Sequence, residues 1–506
     1  MALLAALAVL SGGSVGRAES VSPAEGAYAG LPAVNLAADG AGEVFVTADG
    51  LAMTPVEQWF TATPENGRSF ANSYAFVQEF VRVGLGYHFG SGVTFYAEAM
   101  SPGLFDLPTN AIARYPQGEL GMGATYYAAN GSRDAAAVFL KRAFISLDPQ
   151  QFGGLGLTLG RYEFDDGTEI IPDDPGLRWL VLNRLQQRLI GSRYVLVGGR
   201  SLDGGMLTYG DGNRNLTALF GIPTQGSYLV DGNPELNGVD VGYISLNAGP
   251  GVLPGWLGRR SLARLFFLHY DDTRGLLLPD NQSLAQRIAN NGAVHIETLG
   301  GDFLREIAAG PGEIDLMLWG AYQFGQWGKL TQSAYAYNAE FGYHATQWAW
   351  QPWLRAAYTV GSGSGNPDSG THGTFFQVLP TPWYFANFAF YDMENIDDAM
   401  LELVLFPAPS LTWRTDVQWL SLNSPQDAWY AGGGAWSPDI FGYEPRPSYG
   451  QSSLGTVVET ALNWDVNRHV SLSWYFGHVF GGAVVAANYP LGRDANFGFM
   501  MFAWHL

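Results

Sequence analysis

From about Tyr74 to its last residue the chain is written in short segments that alternate apolar with polar or small side chains. Between Phe80 and Phe89, Val81, Val83, Leu85, Tyr87 and Phe89 form one row, and Arg82, Gly84, Gly86 and His88 form the other. Leu411, Trp413, Thr415, Val417 and Trp419 alternate with Thr412, Arg414, Asp416 and Gln418. Leu155, Leu157 and Leu159 alternate with Gly156, Thr158 and Gly160, and Val470, Leu472, Trp474 and Phe476 with Ser471, Ser473 and Tyr475. A period of two puts successive side chains on opposite faces of a strand. Asp211-Gly212-Asn213, Asn237-Gly238 and Asp465-Val466-Asn467 punctuate the pattern with residues that tolerate the positive φ of tight hairpins. Allowing about 24 residues for a strand and its share of loop gives roughly 18 strands.

The solvent around these strands is set by composition. Charged residues make up 14% of the chain, against roughly 25% in soluble domains. A spanning helix needs about 20 consecutive apolar residues. The longest such run, Met1 to Leu10, is too short, and charges, Gly or Pro interrupt the others. Only helices and closed barrels satisfy every backbone group in lipid. The expected fold is therefore all-β: a transmembrane antiparallel β-barrel of about 18 strands, of outer-membrane type. Tyr126-Tyr127, Trp348, Trp350, Trp353 and Trp429-Tyr430 fall near strand ends, as interfacial girdles do. Met500, Phe502, Trp504 and Leu506 share one face of a final segment that resembles the C-terminal recognition signal of outer-membrane barrels, with Leu where Phe is usual.

Met1 to Leu10 reads as the apolar core of a signal peptide, without the usual basic start, and Gly16-Arg17-Ala18 before Glu19 reads as its cleavage site. The expected organisation is a signal peptide over 1–18, a periplasmic or plug segment over 19–72, and the barrel over 73–506. The irregular stretches 361–370, 421–452 and 276–291 are expected in extracellular loops, the last with a short helix over Gln282 to Ala289.

Several functions are excluded or left without support. Cysteine is absent, which removes disulfides, thiolate metal sites and a cysteine nucleophile. A net charge of -20 disfavours nucleic acid. No HExxH, phosphate-binding loop or serine elbow occurs, and the eight histidines are scattered. No catalytic residue, cofactor or metal is expected. His269 with Asp271 and Asp272 reads as a strand end entering a polar turn, with a base or metal ligand as the alternative. Asp165-Asp166-Gly167-Thr168-Glu169 and Asp173-Asp174 read as a solvated loop, with calcium binding as the alternative.

The arginines are the better lead, because Lys141 and Lys329 are the only lysines. Arg178, Arg184 and Arg188 share parity across residues 177–190, and Arg193 and Arg200 follow. Arg82 and Arg414 lie on the polar faces of two alternating segments. These seven are the candidate pore-lining, substrate-binding residues, since rings of arginine select anions and the guanidinium fork fits a carboxylate. The competing reading is that the arginines pair with the acidic loop just upstream and hold shape.

A family resemblance rests on Leu159-Gly160-Arg161 before the acidic turn, Trp179, Arg188-Leu189-Ile190-Gly191 and Gly199-Arg200-Ser201-Leu202-Asp203-Gly204. Nearer the end it rests on Leu454-Gly455-Thr456, Glu459, Trp464, His469-Val470-Ser471-Leu472-Ser473 and Phe480-Gly481-Gly482. From about residue 74 to the end the chain resembles the alginate-export family of outer-membrane proteins. The resemblance implies a monomeric 18-stranded barrel in the outer membrane of a Gram-negative-type bacterium, passing an anionic polysaccharide through an arginine-rich lumen. The net charge of -20 departs from that picture. The expected function is a pore for an anionic or neutral glycan, with periplasmic partner proteins left open. The alternatives are a general porin, a lipid hydrolase on a barrel, and a structural or adhesive barrel with a plugged lumen.

Overall fold

The alternating segments close into a ring. The computed structural model describes residues 33–506 except 39, 65–68, 112–120, 193–196, 381–387, 389, 431 and 433. The expected signal peptide, 1–18, lies outside the described residues. The wall strands are β1 (Gly42–Gln58), β2 (Val77–Phe89), β3 (Val93–Phe105), β4 (Phe139–Leu147), β5 (Leu155–Tyr162), β6 (Leu202–Gly210), β7 (Arg214–Pro223), β8 (Val239–Ala248) and β9 (Ser261–Asp272). They continue as β10 (Val294–Ala309), β11 (Gly312–Trp327), β12 (Leu330–His344), β13 (Trp353–Gly361), β14 (Ile396–Ala408), β15 (Leu411–Ser421), β16 (Ser453–Asn467), β17 (Val470–Gly481) and β18 (Ala495–His505). Each pairs antiparallel with the next, and β18 returns to β1 from Asn496 opposite Gln58 to His505 opposite Asp49. Closure at 18 strands removes the sheet's edges. A short strand, Ala33–Ala38, continues the line of β18 by pairing with Glu43 to Thr47 of β1.

The expected boundary at residue 73 does not hold. Gly42–Gln58, assigned from sequence to a periplasmic or plug segment, is the first wall strand. Its pattern is inverted. Phe45, Leu51 and Met53 are buried, while the opposite row is Val44, Val46, Ala48, Gly50, Ala52 and Thr54. The outward face is thus built mostly of small residues, and the usual apolar stripe is hard to see.

Elsewhere the alternation reads as expected. Leu85, Leu159, Phe220, Leu265, Phe341 and Phe476 are each more than half exposed and all point outward, a band that only lipid can cover. One end of the wall has mostly short turns, such as residues 90–92, 211–213, 310–311 and 468–469. The other carries the long connections 106–138, 163–201, 273–293, 362–395 and 422–452, with Gly328-Lys329 as a two-residue exception in which Gly328 has φ 59°. Short turns mark the periplasmic end of such barrels. The helix expected in 276–291 is present as Leu284–Asn290, capped reciprocally by Ser283 and Gln286.

The lumen is not an open tube. Inward side chains around the wall, among them Thr47, Thr158, Ser245, Gln323, Asn338 and Glu459, are buried. Three long connections fold back between them. Leu177, Leu180, Val181 and Leu185 of 163–201, Phe375 and Phe376 of 362–395, and Trp429 and Trp436 of 422–452 are all buried. Leu379 N–H donates to the Leu189 carbonyl and Gly191 N–H to the Leu379 carbonyl, each at 2.8 Å, so two of these connections are stitched together. Tyr126, Trp353, Trp429 and Tyr430 belong to this interior rather than to a girdle, whereas Trp348 and Trp350 are exposed at the periplasmic turn 345–352.

On β18 the outward row Met500, Phe502 and Trp504 faces away from buried Phe497 and Phe499. A charge placed on the lipid face destabilises an inserted barrel. The double substitution Trp504→Asp and Leu506→Asp is expected to lower the amount of folded protein in the outer-membrane fraction strongly. Unchanged amounts of folded, heat-modifiable protein would show that this row does not meet lipid.

Candidate functional site

Connection 163–201 leaves β5 at the long-loop end, crosses the lumen to the periplasmic rim and climbs back. Its path is written in charge. At the top, Glu163 meets Lys141 at 3.0 Å, Arg82 at 3.5 Å and Arg142 at 3.8 Å, all from the wall. Asp165 accepts from Ser192 N–H (2.7 Å) and Oγ (2.6 Å) and from Gln187 (2.7 Å). Burial nevertheless pushes its carboxyl up to about 6, against those hydrogen bonds. Asp166 accepts from the Leu189 and Ile190 N–H groups at 3.0 and 2.8 Å and lies 3.4 Å from Arg264. Glu169 also faces Arg264, at 3.4 Å, and accepts from Tyr243.

At the bottom, Asp174 caps the helix Pro175–Leu180 by accepting from Gly176 and Leu177 N–H, and Pro175 at the first helical position needs no such partner. The same carboxylate binds Arg260, at 2.7 Å. Arg260 also reaches Glu306 at 2.6 Å and Glu313. Trp179 packs against Trp353 with ring centroids 4.7 Å apart and planes tilted by 42°.

The returning limb carries the predicted arginines. Helix Pro175–Leu180 runs into a π-helical turn, Val181–Leu185, which supplies Arg184. Arg184 forks onto Glu340 of β12 at 2.9 Å. Arg188 donates to the Arg184 carbonyl (2.7 Å) and to Asn338 (3.2 Å), sits 3.6 Å from Glu340 and lies 5.5 Å over the Trp319 ring. Burial pulls its guanidinium down to about 10, so it stays charged at neutral pH. Arg355, which sequence reasoning missed, completes the node. It bridges Glu340 at 2.7 Å and Asp315 at 2.6 Å. Three guanidinium groups thus converge on one buried carboxylate.

The other candidates do not join this node. Arg82 forms a second cluster, with Asp49 at 2.7 Å and Glu163. Arg414 pairs with Glu402 and Asp416 along the wall. Arg200 donates to the Ala435 and Pro380 carbonyls, which ties the inward connections to one another. Arg178 is half-buried in the helix at the periplasmic end and has no ion pair among the described residues. Arg193 lies outside the described residues.

The competing reading of the arginines expected them to pair with the acidic stretch upstream. The pairing is instead reciprocal: loop arginines meet wall carboxylates, and loop carboxylates meet wall cations. Asp165, Asp166, Glu169 and Asp174 are taken by protein donors rather than by solvent, and Asp173 alone of the acidic stretch is exposed. Among the described residues no three His, Asp or Glu groups are arranged to hold a metal. His269 projects outward near the long-loop end, with Glu297 at 2.8 Å and Asp271 at 3.4 Å, while Asp272 turns inward to Arg274. The register sets His269 opposite Gly242 and Glu297, His295 opposite Asp271 and Gln326, and His478 opposite Val458 and Asn496. No serine stands across from any of these outward histidines.

Residues 259–499 match the alginate-export family. The match begins one residue before Arg260 and takes in Arg264, Glu340, Arg355 and Arg414, so the resemblance seen in sequence is borne out over that stretch. Solved structures are similar in fold. OccAB1 of Acinetobacter baumannii aligns over 91% of this chain and 96% of its own, with TM-score 0.53 and 11% identity. OccK2 (OpdF) of Pseudomonas aeruginosa aligns over 92% and 97%, with TM-score 0.54 and 8% identity. OpdK of Pseudomonas aeruginosa, solved with vanillate, aligns over 91% and 98%, with TM-score 0.51 and 8% identity. At such identity the likeness concerns the fold. No curated protein matches the chain in sequence. The closed barrel and the alginate-export match indicate the outer membrane.

Removing one partner of a buried ion pair leaves the others uncompensated, at a cost of about 3–5 kcal/mol. Glu340→Ala strands Arg184 and Arg188, leaves Arg355 with Asp315 and Glu402, and is expected to destabilise the folded barrel by that order. Glu340→Gln, which keeps an acceptor oxygen, is expected to cost less. Denaturant unfolding in detergent checks both. An Ala variant as stable as the parent would show that the three arginines are satisfied without Glu340.

Proposed function

We propose that the protein is a gated outer-membrane pore for a carboxylated sugar or polysaccharide. The observation that carries this reading is the run Arg178, Arg184 and Arg188 on a limb that lies inside the lumen. Arg184 already grips a carboxylate in the forked geometry a uronate would use. Arg178, half-buried and without an ion pair among the described residues, is the group a substrate carboxylate meets first. The alginate-export match supports the same substrate class.

Passage by this route works by exchange. A substrate carboxylate takes the place of Glu340, Glu402 or Asp416 on an arginine, and the displaced wall carboxylate later takes the arginine back. Binding at each step is weak because every gain is offset by a broken internal pair. Conduction needs several weak sites rather than one tight one. The net charge of -20 fits this scheme, since carboxylates inside the barrel already answer the arginines.

Single-channel recording in a salt gradient tests the reading. The triple substitution Arg178→Gln, Arg184→Gln and Arg188→Gln is expected to move the reversal potential away from anion selectivity while the barrel still inserts. Normal insertion with an unchanged anion-to-cation permeability ratio would make the run structural and favour a general porin or a neutral-glycan channel.

A further inference from the structure

The descending and returning limbs of connection 163–201 meet at a narrow neck. There Gln187 N–H donates to the Asp166 carbonyl at 2.8 Å and Asp166 N–H to the Ile190 carbonyl at 3.1 Å. Gln187 takes φ 60° and Gly167 φ 91° to make this crossing. Above the neck, backbone hydrogen bonds join Leu189 and Gly191 to Leu379. Below it the character changes. Among the described residues, 168–186 are held to the wall by side chains alone: Glu169 to Arg264, Tyr243 and Ser245, Asp174 to Arg260, Trp179 to Trp353, Arg184 to Glu340, and the buried Ile170, Leu177, Leu180, Val181 and Leu185. A segment with its backbone bonds closed internally and its ends pinned at a neck swings as a unit when its side-chain contacts break.

The lowest of those contacts faces the periplasm. Arg260 is about one third exposed, and Asp174 and Glu313 are also partly open, whereas Arg184 and Glu340 higher up are buried. One guanidinium there holds three carboxyl groups together, from the loop tip (Asp174) and from two wall strands (Glu306 and Glu313). Gly176 seats the tip tightly, since a Cβ at that position would fall 1.8 Å from a Glu306 carboxyl oxygen. The wall behind the segment sets buried polar groups, Asp302, Asn338 and Arg355, among buried apolar ones, Leu304, Met317 and Trp319.

We infer that the Asp174–Arg260 contact is a periplasm-facing latch, and that the lumen opens when the segment 168–186 swings away from the wall about its Asp166–Gln187 neck. Release uncovers Asp302, Asn338 and Arg355 and turns the packed lumen into a wet passage. The latch is reached from the periplasmic side of the barrel. This inference rests on the pore reading only in requiring that ions can cross, and not on what the pore selects.

The test uses the full chain in planar bilayers with potassium chloride. Because the protein has no cysteine, Gly176→Cys with Glu306→Cys introduces the only two thiols. Oxidation is expected to lock the tip and abolish open events, and reduction to restore them. Arg260→Gln removes the cation between Asp174, Glu306 and Glu313 and is expected to raise open probability several-fold. Failure of the two thiols to cross-link would show that the tip is not seated at Glu306, and overturns the latch. So would a cross-linked protein that conducts like the reduced one, or an Arg260→Gln variant that opens no more often than the parent. Loss of the pore reading is separate: it would appear as unchanged selectivity in the arginine triple variant, whatever the open probability.

Discussion

Charge exchanged between an inward connection and the wall around it is the interaction on which this interior depends. A buried ion without a partner costs several kcal/mol, so a connection that carries Glu163, Asp166, Glu169, Asp174, Arg184 and Arg188 into a barrel can lie in few positions. Those groups meet their opposites at four points of the wall: Lys141 on β4, Arg264 on β9, Arg260 just before β9 and Glu340 on β12. The sequence of signs along the loop therefore fixes its path. Arginine suits these positions better than lysine, because Arg355 and Arg260 each serve two or three carboxylates at once through a planar fork.

Much of the barrel was legible because alternation is a local property. Arg82, Arg414 and the leucines of β5 declare their faces within a few residues, and the strand count follows from the repeat. β1 escaped because its large side chains turn inward and its lipid face is Val, Ala, Gly and Thr. The arginine parity of 178, 184 and 188 was legible too, although 178 and 184 belong to helical turns on a loop and not to a strand. Their partners were not. Glu340 stands 156 residues from Arg184, and its own segment, alternating with Ala339 and Phe341, says only that it faces inward. Which strand lies behind which loop is decided by closure of the whole sheet.

The aromatics show the same limit. Near strand ends, Trp and Tyr read as girdle residues, and Trp348 and Trp350 are exposed at the periplasmic turn as that reading requires. Trp353 and Trp429 have the same local context yet fill the lumen, where Trp429 packs against Phe60, Phe390 and Tyr489. In a barrel filled by its own connections, an aromatic side chain has two apolar destinations, lipid and plug, and composition does not separate them. The alginate-export match and the Occ barrels share the wall.

The seam between β18 and β1 has a consequence for how the protein reaches its folded state. Residues 49–58 find their partners among 496–505, so the bonds that close the cylinder join segments separated by nearly the whole chain. Such distant contacts carry the largest loop-closure entropy and form slowly. Until they form, β1 and β18 are bare edges flanked by apolar rows, the condition under which strands aggregate. Hairpins along the wall can assemble in any order as neighbours become available, but the cylinder is complete only when its first and last strands meet. The inward connections need that enclosure to bury their charges. In this protein the lumen is therefore assembled after its container, and the kinetics of one seam govern both.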